Sequence, residues 1–191
     1  TRKGRLSEEE AMFFIRQIAD ALAYIHELKI NHLDIKPGNI LLDKKNNAIL
    51  IDFGLSKHYD EVGGQTTSSP VGRSKGYAPM EQYKQGGVSQ FSPSTDIYSL
   101  GATMYKLVTG ETPAEADEIN EDGLSFPADV VLSDSVKKAI EFAMQPKRKD
   151  RPQSIEEFLR RFEVTACSKG QSDEATVIDV VDNNSVDEET V

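Results

Sequence analysis

Residues 7–28 set the first limit on what this chain can fold into. Ser7-Glu8-Glu9-Glu10 puts a hydroxyl three residues before a carboxylate, the pattern of a capping box that opens a helix. Behind it Ala11, Phe14, Ile15, Ile18, Leu22, Ile25 and Leu28 recur at the spacing of one helical face. The spacing predicts a long, half-buried helix, and its apolar stripe needs a surface to cover it.

Two short apolar runs follow, Ile40-Leu41-Leu42 and Ala48-Ile49-Leu50-Ile51. Asp43-Lys44-Lys45-Asn46-Asn47 between them reads as a hairpin turn. Residues 54–92 are rich in Gly, Ser, Thr, Gln and Pro and read as a long irregular segment, a kind that is functional or disordered inside a compact domain. Helical pattern returns over 95–108, with Ile97, Leu100, Met104, Leu107 and Val108, and stops at Gly110. Another helix is expected over 134–144. Ser154-Ile155-Glu156-Glu157 is a second capping box, opening a last helix to about Phe162. No internal repeat is visible. The reading is mainly α, with one small hairpin embedded.

Composition narrows the class. At 191 residues, with 38% hydrophobic and 28% charged, the chain has material for one core and is unlike a disordered polymer. Thirty-two acidic against 22 basic side chains leave a net charge of −10, the wrong sign for a nucleic-acid partner. No run approaches the roughly 20 apolar residues of a membrane span, and the start does not read as a signal peptide. The single cysteine, Cys167, excludes an internal disulfide and a cysteine-based metal site and suits a reducing cytoplasm. Residues 164–191 carry seven Asp/Glu and one Lys and no aromatic residue, so they read as an acidic, disordered tail behind a domain over 1–163. The chain opens at Thr1, as expected for a fragment of a longer protein.

The chemistry concentrates in His32-Leu33-Asp34-Ile35-Lys36-Pro37-Gly38-Asn39, then, after the hairpin, Asp52-Phe53-Gly54. Singly, an Asp or Asn between helix and strand is a turn or cap residue. Together, Asp34 and Asn39 on one loop and Asp52 on a segment folded back against it supply hard oxygens of the kind Mg²⁺ takes alongside phosphate and water. Lys36 can set a compact positive charge on a phosphoryl group, leaving Asp34 to accept a proton from an attacking hydroxyl. Positioning plus charge neutralisation is most of what phosphoryl transfer asks of a protein. His32 reads as a packed structural residue, and His26 and His58 as ordinary helix and loop residues. Gly63-Gly64 and Gly86-Gly87 read as loop flexibility.

The ordered set resembles the C-terminal lobe of a eukaryotic-type serine/threonine protein kinase. His32, Asp34 and Asn39 match the family's H-R-D-x-x-x-x-N catalytic loop, and Asp52-Phe53-Gly54 its metal-binding D-F-G. Gly76-Tyr77-Ala78-Pro79-Met80-Glu81 resembles the A-P-E end of the activation segment, which would span 52–81. Thr95-Asp96-Ile97-Tyr98-Ser99-Leu100-Gly101 resembles the start of the lobe's central helix, with Tyr98 where Trp is common. Lys149-Asp150-Arg151-Pro152 resembles the Arg that pairs with the segment's Glu, here Glu81. The likeness covers about residues 7–162.

It implies a helical lobe with a β-hairpin at the active site, and transfer of the ATP γ-phosphate to Ser or Thr hydroxyls of a protein substrate. Asp34 then corresponds to the proton acceptor, Lys36 to the γ-phosphate contact, Asn39 and Asp52 to the Mg²⁺ ligands, and Leu41 to the surface under the adenine. Lys36 two residues after Asp34 points to the serine/threonine class. Ser74 corresponds to the Thr that supports the catalytic loop, Asp96 to the residue that holds that loop's backbone.

Two departures limit the implication. The family's Gly-rich loop, strand Lys and partner Glu are not in this sequence, so the implied partner is an N-terminal lobe of the same protein, and the fragment alone is expected to be inactive. Leu33 stands where many relatives carry an Arg that receives a phosphate on the activation segment, although Thr66, Thr67, Ser68 and Ser69 offer acceptors there. Two rival readings share part of the pattern. Small-molecule phosphotransferases of the aminoglycoside and choline kinase type have a similar loop and metal Asp but lack the Pro79-Met80-Glu81, Asp96 and Arg151 elements. A pseudokinase scaffold typically loses the base or a metal ligand, and here all are present.

Overall fold

The Ser7 capping box forms as the sequence predicts: the Glu10 N–H donates to Ser7 Oγ at 3.2 Å, and the Glu10 carboxylate accepts the Ser7 N–H at 2.9 Å. It opens α1 (Glu8–Glu27), which turns Ala11, Ile15, Ile18, Ala19, Leu22 and Ile25 into the core. These features come from a computed structural model, in which residues 4–58, 73–83 and 91–163 are described. Thr66, Thr67, Ser68 and Ser69, both glycine pairs, Cys167 and the acidic stretch 164–191 lie outside the described residues.

The stripe of α1 is covered by α2 (Pro93–Thr109), which is buried at every position except Pro93, Lys106 and Leu107. A helix apolar or small all round belongs in the middle of a core. α2 starts two residues before the expected boundary because Ser92 caps it and Pro93 fills its first position, where a missing N–H costs nothing. Gly110, at φ 79°, ends it. α4 (Asp134–Ala143) and α5 (Ile155–Glu163) pack on the far side of α2 and on α1. α4 comes close because Gly101 has no side chain; a Cβ there would sit 2.6 Å from Ala143 Cβ. A helix absent from the sequence reading, α3 (Ala116–Asp122), follows α2.

Strands are short and peripheral. β2 (Ile40–Leu42) and β3 (Ala48–Leu50) form the expected hairpin, with Ile40 opposite Leu50 and Leu42 opposite Ala48. It is not alone. β1 (Ile30–Asn31) pairs antiparallel with β4 (Lys57–His58), two residues each, too short for any alternation to show in sequence. This second ladder clamps the chain before residue 32 to the chain after residue 56, so both polar segments emerge from one end of the helical layer. The mainly α lobe with a small hairpin is the architecture found.

The Arg151 side chain bolts this end together. The 3₁₀ turn Met80–Gln82 carries Glu81, and Arg151 grips its carboxylate bidentately at 2.6 and 3.1 Å. The guanidinium also donates to the carbonyls of Gln145 (2.6 Å), Pro146 (2.8 Å) and Ser94 (3.3 Å), and it lies 4.9 Å over the Tyr98 ring. Only 1% of Arg151 is exposed, so this is a fully desolvated cation with every arm of its fork engaged. Removing it strands the Glu81 carboxylate and three carbonyls. Arg151→Ala is expected to cost about 3–5 kcal/mol, seen as a melting temperature lower by several degrees, and Arg151→Lys, which lacks the planar fork, is expected to recover little of it. An unchanged melting curve for Arg151→Ala would contradict the pairing.

Candidate active site

The loop after β1 is shaped from beneath by Asp96, a wholly buried carboxylate in the first turn of α2. Its Oδ2 accepts the His32 N–H (2.8 Å), the Asn31 side-chain amide (3.1 Å) and the His26 imidazole (2.8 Å). Its Oδ1 accepts the Leu33 N–H (2.8 Å). Burial works to raise its pKa. The His26 hydrogen bond and charge, followed by the Leu33 and His32 N–H groups, outweigh that and hold the carboxyl below the ordinary carboxylate range. Asp96 therefore sits where the sequence reading put it, against the loop backbone. His26 does not: it is buried and bonded to Asp96 rather than an ordinary helix residue. The signal was available, since His26 follows Leu22 by four positions on the buried face of α1.

Pinning from below forces Leu33 into the left-handed region, at φ 68°. Leu is not a residue that chooses this conformation, which costs about 1–3 kcal/mol, so the surroundings must hold it. They do so at both ends of the residue. Its N–H goes to Asp96 and its carbonyl accepts the Gln82 Nε2–H at 2.9 Å. Gln82 was not singled out from sequence, and no local pattern marks it. The Leu33 side chain is 2% exposed and apolar, so it offers nothing to a phosphate.

Asp34, the next residue, has its carboxylate surrounded. Oδ1 accepts from Ser74 Oγ (2.6 Å) and Lys36 Nζ (3.1 Å); Oδ2 accepts from Lys36 Nζ (2.8 Å) and Asn39 Nδ2 (2.8 Å). All four lone-pair positions of the carboxylate are thereby engaged. Burial would raise the Asp34 pKa, but the hydrogen bonds from Lys36, Ser74 and Asn39 prevail and lower it. Lys36 Nζ also donates to Ser74 Oγ at 2.8 Å, so 34, 36, 39 and 74 form one network although Ser74 is far off in sequence. His32 stands behind it in a structural role. Its Nε2 is bonded to the Ile51 carbonyl (3.1 Å) and its Nδ1 accepts the Asp34 N–H (3.3 Å), which fixes one neutral tautomer. Burial pushes this imidazole's pKa down.

The second segment is delivered by the hairpin. The Ile51 N–H donates to the Asn39 carbonyl at 2.9 Å while the Ile51 carbonyl meets His32, so the residue before Asp52 is tied to the first loop on both sides. Asp52 has φ 65° and is exposed, with one oxygen accepting the Gly54 N–H at 3.2 Å. Phe53 packs edge-on against His32, with centroids 4.7 Å apart. Leu41, the expected adenine-facing residue, is on β2 and 54% exposed; Leu42, Ile49 and Phe53 are about as open. Among the described residues no cluster of three or more His, Cys, Asp or Glu forms a self-sufficient metal cage. The donor set still fits Mg²⁺, which takes one or two protein oxygens and completes its shell with phosphates and water. The Asn39 amide spends its nitrogen on Asp34 and the Asp34 carbonyl (2.7 Å), which leaves its oxygen for a cation.

Comparison with known proteins identifies the family. Residues 1–179 match the family model described as protein kinase domain. The chain is 38% identical over 120 residues to 3-phosphoinositide-dependent protein kinase 1 of Arabidopsis thaliana, covering 59% of this chain and 24% of that protein. It is 35% identical over 138 residues to serine/threonine-protein kinase MRCK gamma of Mus musculus, covering 67% of this chain and 9% of that protein. To MRCK beta of Homo sapiens it is 32% identical over 150 residues, covering 73% of this chain and 9% of that protein. The chain thus spans between 9% and 24% of the length of these relatives. Among the described residues no helix is long and apolar enough to cross a membrane. A helical lobe whose two polar segments meet at one network, matched by a family model over nearly its whole length, makes this chain a member of the protein kinase domain family.

Proposed function

We propose that the protein carrying this chain is a serine/threonine protein kinase, and that residues 1–163 are its C-terminal lobe. The observation that carries the reading is the single network in which the Asp34 carboxylate, the Lys36 ammonium, the Ser74 hydroxyl and the Asn39 amide meet beside Asp52. In the reaction the substrate hydroxyl oxygen bonds to the γ-phosphorus of ATP, the bond to the β–γ bridging oxygen breaks, and ADP leaves. The hydroxyl proton passes to Asp34.

Asp34 has no vacant lone pair in the structure, so a substrate hydroxyl must displace a donor. Lys36 is the donor with somewhere to go: turning toward the phosphoryl oxygens, it opens Asp34 and places its charge where negative charge accumulates. Ser74 and Asn39 then keep the carboxylate aimed. Asn39 and Asp52 would hold Mg²⁺, which, when bound with ATP, neutralises phosphate charge. Leu41 offers apolar surface to the adenine.

The open side chains of Leu41, Leu42, Ile49 and Phe53 beside the site suit coverage by an N-terminal lobe of the same protein, so the activity is assigned to the complete protein and not to these 191 residues alone. The relatives named above as serine/threonine kinases, and Lys36 two residues after Asp34, favour Ser or Thr over Tyr as acceptor. Glu81 paired with Arg151 favours a protein kinase over a small-molecule phosphotransferase, and an intact 34, 36, 39 and 52 set disfavours a pseudokinase scaffold. A cytoplasmic setting belongs to the same proposal and suits the single cysteine.

The test is transfer from γ-labelled ATP to protein by the complete enzyme, with the labelled amino acid identified. Phosphoserine or phosphothreonine is expected, and phosphotyrosine alone would contradict the class. Asp52→Ala should lower the rate by at least about a hundredfold and leave the melting curve in place, because this exposed side chain contributes little packing. Transfer retained by Asp52→Ala at saturating Mg²⁺ and ATP would overturn the site assignment.

A further inference from the structure

We propose that Gln82 is a positioning residue that couples the end of the activation segment to the catalytic loop through the Leu33 carbonyl; this rests on the kinase reading above. The tie is the 2.9 Å hydrogen bond from Gln82 Nε2 to Leu33 O, both groups being buried. Leu33 is the left-handed residue immediately before Asp34, and its N–H is already fixed by Asp96. The orientation of the 33–34 peptide therefore depends on who holds its carbonyl, and Gln82 is the only described residue that does so.

Gln82 in turn has no freedom of its own. It ends the 3₁₀ turn Met80–Gln82, its N–H donates to the Pro79 carbonyl at 2.9 Å, and its neighbour Glu81 is held by Arg151. When the segment is docked on Arg151, Gln82 meets Leu33. When that docking is lost, the Leu33 carbonyl loses its donor, and a leucine that has no preference for φ 68° can relax and carry Asp34 with it.

A second feature separates this from ordinary packing. Gln82 is 6% exposed, yet its Oε1 has no hydrogen-bond partner. Half of the amide is thus buried unsatisfied, which a Leu or Met in the same space would avoid. Stability alone would not favour Gln here; a donor aimed at one carbonyl does. The tie also joins the two segments that the apolar Leu33 side chain cannot join through a phosphate.

The experiment replaces Gln82 in the complete protein with Met, which keeps the volume and removes the donor, and with Leu as a second variant should Met fold poorly. Steady-state kinetics and hydrogen exchange of residues 31–36 are both read. The proposal expects kcat to fall by at least about tenfold with the KM for ATP within about threefold of wild type. It also expects exchange at the Leu33 and Asp34 amides to speed up by at least about tenfold while the α2 amides and the melting temperature hold. Wild-type kcat with unchanged loop exchange would overturn it. So would a loss of protection spread across α2 with a lowered melting temperature, which marks a packing residue. If the wild-type protein transfers no phosphate at all, the kinase reading falls, and the exchange measurement alone decides whether Gln82 holds the loop.

Discussion

Asp96 is the interaction on which the rest of this lobe depends. An isolated carboxylate in a core would take up a proton, yet here two backbone N–H groups, an amide and an imidazole converge on it and keep it ionised. The charge is tolerated because four donors converge on it, among them the buried backbone N–H groups of His32 and Leu33. In return the backbone at His32 and Leu33 is fixed by the same carboxylate, and the buried Asp34 that follows has its own carboxylate bonded to Lys36, Asn39 and Ser74. Helix packing reaches the chemistry through this side chain, since Asp96 is part of α2, in which 14 of 17 residues are buried.

Around Asp34 the same balance recurs. Burial alone would favour the neutral acid, and the hydrogen bonds from Lys36, Ser74 and Asn39 reverse the preference. Such a carboxylate is held ionised and aimed, which suits a group that must receive a hydroxyl and a proton late in a reaction whose main demand is positioning. The contacts of Ile51 with Asn39 and His32 add the second segment, so that the left-handed Asp52 stands beside the loop and not merely near it in sequence. Within the site two non-glycine residues, Leu33 and Asp52, take the left-handed conformation; Leu33 is held by side-chain bonds from Asp96 and Gln82 at its two ends, and the Asp52 carboxylate accepts the Gly54 N–H.

Much of this was legible because it is local. The capping box and stripe of α1, the β2–β3 hairpin, and the polar spacing from His32 to Asp52 are each written within a few tens of residues, and helix and strand periods expose them. The likeness to the kinase family supplied the long-range pairs that periodicity cannot, Asp96 with the loop and Glu81 with Arg151. What escaped was what only three dimensions decide. The place of His26 on the α1 stripe signals burial, but its partner lies 70 positions away on α2. Gln82 looked like loop composition because the group it serves is a backbone carbonyl, which has no residue type to recognise. The β1–β4 ladder and α3 were missed because pairings of two residues and helices of one or two turns leave too little pattern to register.

The central claim is that the Asp96 carboxylate, through its acceptor oxygens, holds the loop that presents Asp34. Equilibrium denaturant unfolding of Asp96→Asn against wild type measures it most directly, because Asn keeps the shape but offers one acceptor and turns two N–H donors toward donors. A loss of about 3–5 kcal/mol is predicted, the scale of breaking a buried, hydrogen-bonded charge. A variant within about 0.5 kcal/mol of wild type, the range of an inconsequential surface change, would contradict the account.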